Sequence, residues 1–326
     1  MNFRLKSAEC VLLSFLATIS GAVSIFALPS PCKNQIASPS SQKTNEGSTS
    51  GAPHRAARSI SSYLEVLTSP VHANSLDALT NDIRQHPESA LNLVYRGGAY
   101  LSDGDATNAL ADFKKALSID PNCAKAHIGI SRVCEIAKKY PGAFFELDQA
   151  MKSGNQSTKT KVLWESARLH REVNDYDKSL ALYAQLINTK DLSAAEKSYA
   201  YFQRGEVYLR THKNPAALAD FTSSIRLDPN LMAAHGTRAA IYIALNKPKE
   251  ALADFDAIIA VGSQYDSDDI FNDLPSQQLI DTYRHRADLY QKLGKTDLAE
   301  ADTKTIKKLE KKVFDGAPMR TNLEKP

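Results

Sequence analysis

Residues 109–122 read ALADFKKALSIDPN, residues 217–230 read ALADFTSSIRLDPN and residues 251–260 read ALADFDAIIA. The last two stretches begin at Ala217 and Ala251, 34 positions apart. A fixed period of this length marks a repeat array, in which one small helical unit recurs and buries its apolar face against its neighbours. Sliding the frame both ways gives repeats beginning at Ala90, Ala124, Thr160, Ser198, Met232 and Ile280. Short insertions follow the second and third, and a longer one, 266–279, follows the fifth.

Stacking the six copies shows which places are held. A small residue stands at Gly97, Ser131, Ala167, Gly205, Ala239 and Ala287, and three residues later come Tyr100, Cys134, His170, Tyr208, Tyr242 and Tyr290. In the second helix of each repeat the small place holds Ala109, Ala143, Ser179, Ala217, Ala251 and Ala299. Four residues on come Phe113, Leu147, Tyr183, Phe221, Phe255 and Thr303, and Pro121 and Pro229 close two repeats. On these residues the chain resembles the tetratricopeptide repeat family over about two thirds of its length, with departures at Cys134, Leu147 and Thr303. The resemblance implies an all-α fold, a right-handed α-solenoid of about six helical hairpins over residues 90–313. Small residues facing each other let two helices approach to ~8–10 Å, and an aromatic one turn away fills the gap beside that contact.

The turns agree with this reading. Between the two helices of a repeat stand Gly104, Asn174, Asn246 and Gly294, residues that tolerate the left-handed backbone ending a helix, while Pro141, Pro215 and Pro248 suit the first turn of the next. One correlation is visible inside the chain. Arg96, Arg204, Arg238 and Arg286 precede the first small place in the first, fourth, fifth and sixth repeats, and Asp112, Asp220, Asp254 and Asp302 precede the second-helix aromatic place in the same four. The second repeat has Ile130 with Glu146 and the third Ser166 with Leu182. Arginine and aspartate thus occur together or not at all, which predicts an ion pair joining the two helices of a repeat, worth ~0–1 kcal/mol if partly exposed.

Outside the array, Arg4 and Lys6 precede an apolar run from Val11 to Leu28, the order of a secretory signal or membrane anchor over 1–28. Small residues at Ala22 and Ser24 offer a cleavage site, and the run is near the length that spans a bilayer, so export with either a released or an anchored product is expected. Residues 29–59 are rich in Ser, Pro, Thr, Gly, Asn and Gln and read as a disordered tether, because they lack the apolar surface that offsets the entropy of ordering. Helical spacing returns over 60–89, with Tyr63, Leu64 and Leu67 before Pro70 and then Leu76, Leu79 and Ile83, which predicts N-terminal capping helices; 314–326 form a tail. Cys123 and Cys134 fall along one predicted helix, roughly 16 Å apart, too far for a disulfide. Cys10 and Cys32 lie ahead of the array, and Cys32 reads as an unmodified thiol.

The net charge of +3 nominates no nucleic-acid partner. No phosphate-binding glycine loop, HExxH, paired CxxC or Gly-x-Ser-x-Gly elbow occurs, so no catalytic residue, metal or cofactor is expected. His127, His170 and His235 read as packing histidines. Asp266, Asp268, Asp269 and Asp273 lack the glycine and glutamate of a calcium loop and read as a connector or an extra helical turn near Ile270 and Phe271. Lys304, Lys307, Lys308, Lys311 and Lys312 give the last helix a polar face that ends the stack. The family resemblance implies a concave groove lined by first helices, and on matching positions it places Arg132, Trp164, Arg168, Arg171, Tyr199, Phe202 and Glu206 along its middle. The family's lysine and asparagine clamp for a C-terminal carboxylate is missing, since Val94, Gly98, Ile128 and Arg132 stand there. The expected function is a non-catalytic protein-interaction adaptor, exported or membrane-anchored, holding a peptide or helix of a protein partner. The alternative is a structural scaffold that self-associates through its outer faces.

Overall fold

The computed structural model describes residues 76–264 and 273–316, so the export segment, the tether, the first part of the capping region, most of the acidic insertion before Asp273 and the tail lie outside the described residues. Among the described residues there are thirteen α-helices and no strand. The helix α1 (Leu76–Gln85) precedes six hairpins: α2 (Ala90–Ser102) with α3 (Ala106–Ile119), α4 (Ala124–Ile136) with α5 (Tyr140–Ser153), and α6 (Gln156–Glu172) with α7 (Tyr176–Asn188) form the first three. The last three are α8 (Ala194–Arg210) with α9 (Asn214–Leu227), α10 (Met232–Ala244) with α11 (Pro248–Gln264), and α12 (Asp273–Lys292) with α13 (Thr296–Gly316). They fall into two compact units that divide within α8, between Val207 and Tyr208. None of the described helices is long and apolar enough to cross a membrane.

Side-chain caps start five of the described helices. Ser89, Asp105, Asn155 and Asp175 accept from the backbone N–H three residues on, at 3.3, 3.0, 2.9 and 3.5 Å. Ser193 and Glu196 form a reciprocal capping box, the Glu196 N–H donating to Ser193 Oγ at 3.2 Å and the Ser193 N–H to the Glu196 carboxylate. First helices of the third, fourth and sixth repeats start ahead of the repeat frame, with side-chain caps at Asn155 and Ser193 in the third and fourth. The helices begin at Gln156, Ala194 and Asp273 instead of Thr160, Ser198 and Ile280, because the residues read as insertions cap or continue the helix that follows.

Every hairpin turn is built the same way. Gly104, Asn174, Asn246 and Gly294 have positive φ, as do Lys138 (55°) and His212 (57°), whose side chains do not favour that conformation. In each turn the next residue donates its N–H to the carbonyl five positions back, from Asp105 to Tyr100 at 2.8 Å and from Lys139 to Cys134 at 2.7 Å, for example.

Packing is carried between neighbours. All six first-helix small residues and all six second-helix ones are buried. Phe113, Leu147, Tyr183, Phe221 and Phe255 are at most 3% exposed, whereas Thr303 is exposed and its hydroxyl donates to the Ala299 carbonyl. One core cluster joins Ile83, Leu93, Phe113, Ala126 and Ile130 from α1 to α4, a second joins Ile128, Leu147, Val162 and Leu169 from α4 to α6, and a third joins Ala167, Tyr183, Leu186 and Ala200 from α6 to α8. In the C-terminal unit Ala239, Phe255, Ile258 and Leu289 join α10, α11 and α12. The glycines at this contact have a steric cause: a Cβ on Gly97 would meet the Phe113 ring at 2.7 Å, and one on Gly129 would meet it at 2.5 Å. The architecture is therefore a helical solenoid with its core distributed along the chain.

Candidate protein-binding face

The seven residues expected to line a groove lie on three successive first helices: Arg132 on α4, Trp164, Arg168 and Arg171 on α6, and Tyr199, Phe202 and Glu206 on α8. Their charged members are joined into a ladder. Arg132 donates to the Glu165 carboxylate. Arg168 grips Glu135 through two bonds of 2.6 Å and Glu165 at 3.0 Å. Arg171 donates to Glu206 at 2.9 Å and to Gln203. Glu135, Glu165 and Gln203 were not singled out from the sequence, although opposite charges 33 positions apart, Arg132 with Glu165 and Glu135 with Arg168, carried the signal.

Burial raises the Glu165 pKa, but Arg132 and Arg168 outweigh it and hold the carboxyl at about 2. Burial lowers the Arg168 pKa, and bonds to Glu135 together with the charge of Glu165 reverse that and raise it. The aromatic members form a row beside the ladder. Trp164 lies 5.5 Å from Tyr199 and edge-on to Tyr183 at 6.0 Å, and Tyr199 stacks on Phe202 at 6.2 Å. Trp164 is half-buried against the α6–α8 core, while Phe202 is only 2% exposed. Phe202 thus supports the row from beneath and presents no surface of its own.

A second charged pattern lies where hairpins meet. Arg96 grips Asp112 at 2.7 and 2.8 Å, Arg238 grips Asp254 at 3.0 and 2.6 Å, and Arg286 grips Asp302 at 2.9 and 2.7 Å, so the expected pair forms in these three hairpins. Arg204 and Asp220 belong to different compact units. The aspartates are 8%, 2% and 6% exposed, so these are largely buried pairs, for which the small value of a partly exposed pair does not apply. Each arginine also lies over the tyrosine of its own helix, 5.7 to 5.9 Å from the ring centre, and donates to the helix before its own hairpin: to Thr80 of α1 and Thr222 of α9 at 3.2 Å and to Asp256 of α11 at 2.5 Å.

Two histidines join this pattern. His127 Nδ1 lies 2.6 Å from Glu146 and its Nε2 3.3 Å from the Pro121 carbonyl, and His235 sits likewise between Asp254 at 2.8 Å and the Pro229 carbonyl at 3.1 Å. They are thus anchored to the closing prolines of the hairpins before them. In the third hairpin, where Ser166 and Leu182 replace the arginine and aspartate, a cleft of about 590 Å³ opens between α5, α6 and α7. His170 lines it with its ring 4.4 Å from that of Phe144, and burial pushes the imidazole pKa down. Cys123 and Cys134 are free thiols, and no cluster of three metal-ligating side chains occurs among the described residues.

Family models described as tetratricopeptide repeat match residues 96–123 and 165–231. No curated protein matches in sequence. Among solved structures, the chain is similar to PilF of Pseudomonas aeruginosa, at 22% identity and TM-score 0.53, over 68% of this chain and 92% of that one. It is similar to the C-terminal part of a TPR repeat-containing protein from Cytophaga hutchinsonii, at 14% identity and TM-score 0.55, over 79% and 99%. PilW, a type IV pilus biogenesis factor, matches at 15% identity and TM-score 0.50, over 67% and 91%. At these identities the likeness is one of fold. With its small places buried in all six repeats and the family's own models matching within the array, the chain carries tetratricopeptide repeats.

Proposed function

We propose that this chain is a non-catalytic adaptor that holds an extended segment or helix of a partner protein against the first helices α4, α6 and α8. Repeats of this family serve protein interaction, and the observation that carries the finer reading is the convergence of an aromatic row and a charged ladder on one face of the N-terminal unit. Aromatic and arginine side chains are the types enriched at binding hot spots. The ladder side chains are 15% to 38% exposed, so their outer edges are open to a partner's polar groups. The apolar run at 11–28 supports export or membrane attachment as the setting.

A photo-crosslinking residue at Arg171, compared with one at Lys115 on α3, tests the reading. Partner adducts are expected from position 171 and not from 115. Equal yields from both positions, or adducts only with a second copy of this chain, would refute groove binding and favour the self-associating scaffold.

A further inference from the structure

The cleft in the third hairpin is defined by comparison with its own sister hairpins. Four places meet at each such junction: the arginine, its aspartate, the tyrosine one turn on, and the residue after the aromatic place of the hairpin before. In the sixth hairpin they hold Arg286, Asp302, Tyr290 and Asp256, and the guanidinium fills the space between them with bonds to both carboxylates. In the third they hold Ser166, Leu182, His170 and Asp148, and all four line the cleft. The second hairpin also lacks the arginine, but there Ile130 occupies its place and is buried. A serine cannot do this, so Ser166 leaves a vacancy with the outline of an arginine side chain.

What remains around it suits such a guest. Leu182, Leu147 and Met151 offer apolar contact for a side-chain stem. Asp148 stands where Asp256 receives Arg286, and its present partner is Lys152 one turn away, in a pair more than half exposed. Exposed pairs within one helix are worth little, so a guest can displace it. Asp175 is already paired with Lys178 at 3.0 Å and lies 3.2 Å from His170 Nδ1, so Asp148, once Lys152 is displaced, is the carboxylate left to receive a guest's positive charge. Leu182 in place of the aspartate removes the buried carboxylate that would have tied down a resident guanidinium.

We propose that this cleft is a socket for an arginine side chain supplied by a partner protein, on a surface separate from the ladder face. The test uses the full chain carrying ¹³C-methyl methionine, since Met151 lines the cleft and Met232 lies in the other compact unit. Titration with N-acetyl-arginine amide is expected to shift the Met151 methyl resonance saturably and leave Met232 unmoved. Asp148→Asn, an exposed change that leaves the fold intact, is expected to weaken that binding about fivefold. Ser166→Arg with Leu182→Asp rebuilds the sister arrangement and is expected to abolish the shift, with Met232 and helicity reporting that the chain is folded. No saturable shift at Met151, equal affinity for the leucine or lysine amide, or an arginine affinity unchanged by Asp148→Asn would each overturn the assignment.

Discussion

Asp254 shows what one side chain holds together. It is 2% exposed and accepts from Arg238 twice while standing 2.8 Å from His235, so three contacts from α10 converge on one carboxylate of α11. Asp254→Ala leaves a mostly buried guanidinium without its acceptor, and the expected loss is about 3–5 kcal/mol by urea denaturation. The turn residues act through backbone strain instead. A Cβ on Gly104 meets nothing within 4 Å, so Gly104→Ala should cost about 1–2 kcal/mol purely because φ is +80°. Lys138→Gly should gain up to about 1 kcal/mol for the converse reason, the unfolded chain's added freedom offsetting part of the relief. Sequence inspection found four of the six left-handed residues because Gly and Asn advertise that conformation. Lys138 and His212 do not, and only their place in the repeat, fourteen positions after Ala124 and Ser198, could have marked them.

Between helices, the contact is set by what each partner leaves empty. Phe113 of α3 reaches across to Gly97 of α2 and Gly129 of α4, and neither position has room for a methyl group unless the ring moves. Gly129→Ala is expected to destabilise by roughly 1–3 kcal/mol through overpacking, despite the higher helix propensity of alanine, and thermal melting would show the sign. The ladder couples α4, α6 and α8 electrostatically. Glu165 titrates near 2 in the folded chain against 4.5 ordinarily, so its contribution is complete above about pH 4.5 and is lost as pH falls from there through 2. That contribution is on the order of 2–3 kcal/mol. Glu165→Gln should flatten the acid limb of the stability profile over that interval while leaving a pair of arginines less well neutralised at pH 7. A Glu165→Gln profile parallel to wild type between pH 4.5 and 2 would show that the ladder contributes nothing there.

Among the described residues, each core cluster draws on helices that follow one another in the chain, so stability should be additive from hairpin to hairpin. Removing α12 and α13 should lower helicity in proportion to the residues lost and leave the N-terminal unit's melting cooperative, whereas collapse of all helical signal would contradict a distributed core. The repeat frame, the hairpins and the buried small and aromatic places were legible in the sequence, because six copies of one pattern report the same local rules of spacing and turn chemistry. The residues expected along a groove were named from the sequence without their contacts: Phe202 is packing, and Arg132, Arg168 and Arg171 are engaged by Glu135, Glu165, Gln203 and Glu206. Pairing between first helices depends on how far apart neighbouring hairpins sit, and that distance is fixed by side-chain volumes contributed from several helices at once. The cleft at Ser166 is of the same kind. A serine and a leucine at two places in a repeat are ordinary residues in the sequence, and only the surrounding helices, held in register by the neighbouring contacts, turn the missing arginine into a space.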